Sequence, residues 1–349
     1  MKLEEALKKI RPLDEAAMEQ CRQKWDSIAH PLHSLGKLED VLVQIAGITG
    51  DIRVDLKKKA LVPMCADNGV VAEGVTQSEQ NVTAIVSENF LSDKATAAIL
   101  CKQTGAEIFP IDIGIAVDTK LENHKIAYGT KNMAKEPAMT REEAERAMEV
   151  GIEKVRELSG QGYKIIATGE MGIGNTTTSS ALASYFLQED VEKMTGRGAG
   201  LTSKALEKKI AVVRKAIADY SPAFTDAIDA LAALGGFDIA GMAGVFLGGA
   251  IYRVPIVMDG FISSTAALTA TRICPACKDF IMASHVSKEP AAEKILAALD
   301  KEAALHCDMC LGEGTGAVTL FPILDLATQI YEQMSTFEDI EIDAYVELK

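Results

Sequence analysis

Three glycine-rich segments of this chain place polar side chains where they could bind an anion or remove a proton. The first covers residues 169–177 and reads Gly-Glu-Met-Gly-Ile-Gly-Asn-Thr-Thr, between a predicted strand and a helix predicted over residues 178–187. This is the spacing of a phosphate-binding loop with Asn175 in place of the usual lysine. Backbone N–H groups and the positive end of the helix can still bind an anion there. The missing lysine favours a phosphomonoester over ATP, and the alternative is a structural turn with Thr176 as the helix N-cap.

The second segment, residues 195–200, reads Thr-Gly-Arg-Gly-Ala-Gly and precedes a predicted helix that carries Lys204, Lys208 and Lys209. A lysine from such a helix can supply the positive charge that the first loop lacks. Lysines on a helix more often form a solvent-exposed face. This segment therefore predicts a phosphate contact only in combination with the first loop.

The third segment, residues 311–316, reads Leu-Gly-Glu-Gly-Thr-Gly and stands directly before an apolar helix. Glu313 lies between two glycines, so the backbone around its carboxylate is unobstructed and the side chain can act as a general base. A residue that only capped the helix would more often be Ser, Thr, Asp or Asn. We therefore interpret Glu313 as a functional residue rather than a structural one.

Two Cys-x-x-Cys pairs, Cys274 with Cys277 and Cys307 with Cys310, could supply four thiolates to a zinc ion or an iron–sulfur cluster. The interval between the pairs is longer than that of a usual zinc ribbon. Both pairs also lie where apolar helix faces are predicted, and cysteine is among the residue types most often buried. The sequence therefore predicts no metal at these cysteines.

The elements that must position these segments are predicted to alternate between short apolar strands and longer helices. Four strands, in residues 61–69, 107–114, 163–170 and 254–260, each end in acidic residues or glycine, and helical segments separate them. This alternation indicates a Rossmann-like α/β domain with a mostly parallel sheet flanked by helices, over residues 51–318. Residues 1–50 and 319–349 are predicted to be mainly helical and to form a small second domain. Ligands of such sheets bind at the carboxyl ends of the strands, where the glycine segments fall.

Composition and charge exclude several classes of protein. The 349 residues are 48% hydrophobic and 25% charged, which is typical of a globular protein. Lys and Arg number 36 against 50 Asp and Glu, a net charge of −14, which argues against a nucleic-acid partner. The longest apolar run, residues 239–252, is shorter than the ~20 residues that span a membrane. No signal peptide is readable, so we expect no membrane association and a cytoplasmic location.

Several ordered stretches carry a resemblance to a known family over nearly the whole chain: residues 34–39, 65–75, 129–134, 169–177, 235–241, 259–263, 284–285 and 312–316. With these stretches the chain resembles the nicotinate-nucleotide:5,6-dimethylbenzimidazole phosphoribosyltransferases, the CobT family. The resemblance implies transfer of a 5-phosphoribosyl group from nicotinate mononucleotide to an aromatic base, with inversion and without a cofactor. The product would be the α-riboside 5′-phosphate used in cobamide (vitamin B12) biosynthesis.

The resemblance also implies roles for individual residues. Glu313, in the Gly-Glu-Gly motif, matches the catalytic base of the family. The residues implied to hold the mononucleotide are Glu170, Gly172, Gly174, Asn175, Thr176, Gly198, Lys209, Asp259, Ser284, Gly312 and Gly314. Those implied to hold the aromatic base are Ser78, Val86, Met171 and Leu311. The family is dimeric, which implies a homodimer.

Three departures from the family pattern bear on the identity of the base. Residues 30–36 read His-Pro-Leu-His-Ser-Leu-Gly where the family usually reads Pro-Pro-Gly-Ser-Leu-Gly. Val86 stands where a larger residue is common, so a permissive base pocket is predicted. The two cysteine pairs are absent from the family pattern. One alternative is a subunit of a paralogous heterodimer that acts on phenolic bases, whether catalytic or only nucleotide-binding; another is a kinase or hydrolase related to phosphate-loop enzymes.

Overall fold

The computed structural model describes residues 2–346, and within them a parallel sheet forms the centre of the molecule. The strands are β1 (Lys59–Ala66), β2 (Ala106–Ile108), β3 (Ile111–Gly114), β4 (Glu122–Asn123), β5 (Ile165–Met171), β6 (Ile256–Met258) and β7 (Ile281–Ala283). Their order is β4-β3-β1-β5-β6-β7, with β2 also paired to β1, and every pairing is parallel. The carboxyl ends of β1, β5, β6 and β7 therefore meet at one edge.

Helices cover the faces of this sheet and provide most of the remaining ordered structure. They are α1 (Leu3–Leu7), α2 (Glu15–Ser27), α3 (Lys37–Thr49), α4 (Val82–Asn89), α5 (Thr96–Thr104), α6 (Arg141–Gly160), α7 (Asn175–Leu187), α8 (Val191–Met194), α9 (Ser203–Tyr220), α10 (Ala227–Leu234), α11 (Phe237–Tyr252), α12 (Phe261–Ile273), α13 (Ala292–Ala298) and α14 (Thr315–Gln333). The predicted α/β fold, with a mostly parallel sheet flanked by helices, is confirmed. Helix α6 begins directly after Thr140, and Thr140 and Glu143 form the capping box at its start.

Strand β1 is buried along its whole length, as expected for a central strand of a parallel sheet. The prediction of one strand over residues 107–114 is wrong, because this segment is divided into β2 and β3. Pro110 lies in the interruption and has no N–H group to donate to a neighbouring strand. β2 pairs with Lys59–Leu61 and β3 with Met64–Ala66 of β1. The interruption between β2 and β3 therefore lies opposite the part of β1 that contains Pro63.

The terminal helices pack together and also against the sheet. Trp25 of α2 and Tyr331 of α14 lie with their ring centroids 4.9 Å apart. The same hydrophobic cluster contains Leu61 of β1 and Ile165 of β5, so these helices share a core with one face of the sheet. The predicted boundary after residue 318 falls inside α14, which is one continuous helix from Thr315 to Gln333. The division into two domains stays a prediction.

The apolar run at residues 239–252 lies within α11, whose residues are buried among α6, α12 and the sheet. Within residues 2–346, no helix combines the length and apolarity that crossing a membrane requires.

Candidate active site

A cavity of about 600 Å³ opens at the carboxyl ends of β1, β5, β6 and β7, where the three glycine segments meet. Its walls include predicted site residues from all three segments: Glu170, Gly172, Gly174, Asn175, Thr176, Gly198, Gly312 and Glu313. A larger cavity of about 890 Å³ lies at the opposite edge of the sheet, around Lys59 and Asp325. These two residues form an ion pair with each other at 3.1 Å, and none of the predicted site residues lines that cavity.

The first glycine segment joins β5 to α7, as predicted, but the helix begins three residues earlier than expected. Its N-cap is Gly174, with φ of +92° and no side chain to cap the first N–H groups. The alternative that Thr176 is the N-cap is therefore wrong. Because no side chain caps it, the positive end of α7 faces the cavity at Gly174 and Thr176, which suits an anion.

Lys209 on α9 is the lysine that reaches this loop. Its Nζ donates hydrogen bonds to Thr176 Oγ1 at 2.8 Å and to the Gly196 carbonyl at 3.1 Å. The side chain is fully buried, and this burial lowers the pKa of Lys209 to about 8. Lys204 and Lys208, on the same helix, are exposed. Helix α9, which follows the second segment, thus supplies one positive charge directly behind the α7 N-terminus. Lys209 does not itself line the cavity wall.

Glu313 lies immediately before α14 and has a left-handed backbone, with φ of +62° between Gly312 at +90° and Gly314 at +84°. Such a conformation is uncommon for a residue with a side chain and is concentrated at functional sites. Its Oε2 is buried without a hydrogen-bond partner among residues 2–346. Burial also raises the pKa of Glu313. A carboxylate in this environment gains from accepting a proton, as a general base must.

Asp259, after β6, holds the backbone that carries Glu313. Its Oδ2 accepts a hydrogen bond from the N–H of Gly314 at 3.1 Å, and its Oδ1 accepts from Gly316 and Ala317 at 2.8 and 3.1 Å. The N-cap residue Gly314 has no side chain that could accept these hydrogen bonds. Asp259, which follows strand β6, therefore caps α14 in its place. Asp259 was predicted to bind the nucleotide; although it lines the cavity, both of its oxygens are engaged in this cap.

A second carboxyl group, Glu170 of β5, forms part of the wall near Gly312. Burial raises its pKa to about 8, and the nearby Asp238 adds to this effect. Asn175 Nδ2 donates to Glu170 Oε2 and, at 3.1 Å, to Oδ2 of Asp238 on α11. Glu170 is therefore mostly a neutral acid at pH 7, whereas an ordinary glutamate is ionised.

Three of the four residues predicted to bind the aromatic base lie in the cavity wall. Val86, Met171 and Leu311 line the same cavity as the glycine segments and contribute apolar surface to it. Ser78 is not among its lining residues, so the structure does not bring this predicted residue to the site; Thr76 lines the wall instead. Leu311 is exposed at the mouth.

Two other predicted nucleotide-binding residues lie behind the wall. Ser284 is buried and donates from Oγ to the Met258 carbonyl at 2.6 Å, beside His285 Nδ1 at 3.1 Å. Gly314 is the N-cap of α14. His285, Ser287 and Glu289 also line the cavity, and Ser287 and Glu289 are not among the predicted site residues. Ser287 and Glu289 lie two and four residues beyond His285 in a loop, so this proximity in the chain is the signal that could have found them.

The cysteine pairs differ from each other in exposure. Cys277 is buried and Cys274 half-buried at the end of α12, but Cys307 and Cys310 are exposed in an irregular segment. The expectation that both pairs lie on apolar helix faces is therefore wrong for the second pair, and Cys310 reaches the cavity wall. No cluster of three or more His, Cys, Asp or Glu side chains within residues 2–346 is arranged to hold a metal ion. The absence of a metal stays a prediction.

Comparisons with known proteins agree with this geometry. Residues 10–342 match the family described as Phosphoribosyltransferase. Two relatives are named nicotinate-nucleotide–dimethylbenzimidazole phosphoribosyltransferase. The one from Clostridium acetobutylicum is 48% identical over 352 residues and 100% of each chain. The one from Acetivibrio thermocellus is 47% identical over 98% of each chain.

This chain belongs to that phosphoribosyltransferase family. The crystal structure of CobT from Thermus thermophilus has a TM-score of 0.90 and 35% identity to this chain, covering 95% of it and 100% of the CobT chain. The resemblance stated from the sequence is confirmed, and so is the CobT-like α/β fold. The alternative of a phosphate-loop kinase or hydrolase is not favoured. In this CobT family member Asn175 occupies the lysine position of such a loop, and its amide is held by two carboxyl groups.

Proposed function

We propose that this chain transfers the 5-phosphoribosyl group of nicotinate mononucleotide to 5,6-dimethylbenzimidazole, giving nicotinate and the α-riboside 5′-phosphate used to build cobamides. The observation that carries the proposal is a single cavity whose lining includes the N-terminus of α7, the carboxyl group of Glu313 and the apolar side chains of Val86, Met171 and Leu311. The names of the relatives supply the two substrates.

The phosphate of the mononucleotide lies at the α7 N-terminus, near Gly174, Thr176 and Gly198. Lys209 stands behind Thr176 and neutralises part of the phosphate charge. Because Glu170 is mostly protonated at pH 7, the cavity carries less negative charge than its carboxyl groups suggest. This favours the binding of a doubly charged phosphate.

The transfer step exchanges one C–N bond for another at C1′ of the ribose. The bond from C1′ to the pyridinium nitrogen breaks, and its electron pair returns to the nicotinate ring. One nitrogen of the benzimidazole forms the new bond to C1′ with its lone pair, and the other loses its proton to Glu313. Attack from the face opposite the leaving group converts the β-nucleotide into the α-riboside. The protein contributes positioning, electrostatic stabilisation and the general base.

The base pocket is permissive because Val86, Met171 and Leu311 present apolar surface, which does not select a base by hydrogen bonds. Benzimidazole itself should therefore also react. Its transition-state free energy should differ from that of the dimethyl derivative by no more than the ~1–3 kcal/mol that one or two methyl groups contribute. The relatives' names favour a benzimidazole as the acceptor over a phenol. We propose a homodimer acting in the cytoplasm, which the sequence interpretation also expects.

The direct test is to incubate the purified chain with nicotinate mononucleotide and 5,6-dimethylbenzimidazole and to follow both products by chromatography and mass spectrometry. We expect nicotinate and the α-riboside phosphate in equal amounts, and no nicotinate without the base. ATP in place of the mononucleotide serves as the control for the phosphate-loop alternative. Release of nicotinate without coupling to the base, or turnover of ATP alone, would contradict the proposal.

A further inference from the structure

We propose that Asp238 is a positioning residue for Glu170 and acts on it through the side-chain amide of Asn175. Asp238 lies in the first turn of α11, is fully buried and does not line the cavity. Glu170 lies on the cavity wall. The inference rests on the proposed function for its catalytic meaning, but its geometry and its test do not require substrate.

The bridge consists of one amide between two carboxyl groups. Asn175 Nδ2 carries two hydrogens, and it donates to Glu170 Oε2 on one side and to Asp238 Oδ2, at 3.1 Å, on the other. The second oxygen of Asp238 accepts from the Ile239 N–H at 3.0 Å. Both Asp238 oxygens are thereby fixed, and the orientation of the Asn175 amide fixes Glu170 in turn.

Glycine and asparagine residues pack closely around this bridge. A Cβ atom added at Gly172 would lie 2.4 Å from Asp238 Oδ2, and one added at Gly236 would lie 2.5 Å from Asp238 Oδ1. The Asn68 side chain lies 3.1 Å from the same Gly172 position and 2.3 Å from the same Gly236 position. The carboxyl group of Asp238 therefore occupies space that only glycine leaves open at these two points.

The charges around Glu170 explain the effect of this arrangement. The ionisable groups that face it are Asp238 on α11, Asp259 after β6 and Glu313 before α14. Lys209 is engaged with Thr176 and Gly196 instead. Burial raises the pKa of both carboxyl groups, but the two hydrogen bonds that Asp238 accepts, from the Asn175 amide and the Ile239 N–H, favour its ionised form. The charge of Asp238 across the shared amide helps to keep the proton on Glu170.

The test is an infrared titration of the substrate-free protein, with the Glu170 carboxyl band assigned by its loss in Glu170→Gln. In Asp238→Asn the like charge is gone, so we expect the ionisation constant of Glu170 to increase by about tenfold or more, one pH unit towards acid. In Asn175→Ala the donor that stabilises the ionised form is gone, so the titration should move towards alkaline pH. Asp67→Asn is the matched control, because Asp67 is a buried carboxyl group at the end of β1 that shares no hydrogen-bond donor with Glu170.

Opposite displacements in the two variants, with the Asp67→Asn titration unchanged, would support the role of Asp238. An unchanged Glu170 titration in Asp238→Asn, or displacement of both variants in the same direction, would overturn it. Asp238→Asn is nearly isosteric, and the Asn68 Oδ1, buried without a partner among residues 2–346, can accept from the new amide. In Asp238→Asn the pH profile of kcat/KM should move to lower pH by the same amount. A profile that does not move would contradict the catalytic meaning alone, and a chain without transferase activity would contradict only the proposed function.

Discussion

Lys209 and Glu170 are two buried side chains whose pKa values move towards neutrality from opposite sides. Burial lowers the pKa of Lys209 and raises that of Glu170, each to about 8. Lys209 therefore loses its charge as the pH rises through 8, whereas Glu170 gains one over the same range. Both changes make the cavity more negative, so the affinity for a phosphomonoester should decrease above pH 8.

Substitution of Lys209 by methionine, which fills a similar buried volume, should weaken binding of nicotinate mononucleotide. Lys209 acts on the phosphate through its charge and through the Thr176 hydroxyl that it orients, so we expect the dissociation constant to rise about 10-fold, which corresponds to roughly 1.4 kcal/mol. Lys208→Met is the matched control, since Lys208 is exposed on the same helix. Calorimetry at pH 7 decides; equal affinities of wild type and Lys209→Met would assign the phosphate to other donors.

The individual residues of the site were only partly predictable from the sequence. Glu313 and Asn175 stand out because their neighbours are glycines with recognisable spacing. Asp238 does not, because its link to Asn175 joins residues 63 positions apart and exists only once α11 packs beneath the loop. Similarly, Asp259 and the α14 N-terminus that it caps are more than 50 positions apart, and no local sequence pattern predicts this contact.

At the scale of the elements, the start of α14 is the junction on which Glu313 depends. Gly316 packs against His285, and a Cβ atom there would lie 1.9 Å from His285 Nδ1. The ring is itself buried between Ser284 and Asp259, so it has little space to move. The close approach of α14 to the loop after β7 therefore requires glycine at this position.

Gly316→Ala should destabilise the protein by roughly 1–3 kcal/mol, the usual effect of overpacking a core, and should disturb the Glu313 loop. Gly160→Ala is the control, because Gly160 ends α6 with a negative φ and nothing within 4 Å of an added Cβ atom. Its effect should be neutral or slightly stabilising. Urea unfolding of both variants provides the comparison, and equal stability would show that His285 yields without penalty.

The alternation of strands and helices around a parallel sheet followed from hydrophobic patterns, whereas the ends of individual elements depended on single residues. The capping box at Thr140 is a local sequence pattern that predicts the start of α6, and the helix begins directly after this residue. Pro110 divides the predicted strand at residues 107–114, a break that the apolar pattern alone conceals. Helix α7 begins at Asn175 because Gly174 adopts a left-handed φ, which a search for side-chain caps does not detect.

At the scale of the whole molecule, the helices of the two termini share a hydrophobic core with the sheet. Leu42 of α3 and Phe321 of α14 belong to the same cluster as Leu61 and Ala167 of the central strands. Elements that bury a common core unfold together. The predicted division into two domains would then describe layers of one folding unit.

Differential scanning calorimetry should accordingly show one unfolding transition. The calorimetric and van't Hoff enthalpies should agree if the unfolding unit is the whole described chain. Two separate transitions would show that the terminal helices fold independently of the sheet.

The four cysteines of the two Cys-x-x-Cys pairs provide a further test at this scale. Their different exposure, with Cys277 buried and Cys307 and Cys310 exposed, does not suit a shared tetrahedral site. We expect elemental analysis of protein purified without chelator to find much less than one zinc or iron per chain. A stoichiometric metal would contradict this prediction and would mean that a metal ion restrains the segment before Glu313.

The central claim is that Glu313 accepts the proton of the incoming base. The decisive measurement is kcat for Glu313→Gln with 5,6-dimethylbenzimidazole at pH 7, together with the dissociation constant of nicotinate mononucleotide. A general base contributes ~10²–10⁴-fold, and we expect kcat to decrease by about that factor, because the neighbouring carboxyl group of Glu170 is mostly protonated at pH 7 and cannot accept the proton instead. Mononucleotide affinity should be unchanged. Full retention of kcat, or a loss of affinity that accounts for the whole decrease in kcat/KM, would contradict the claim.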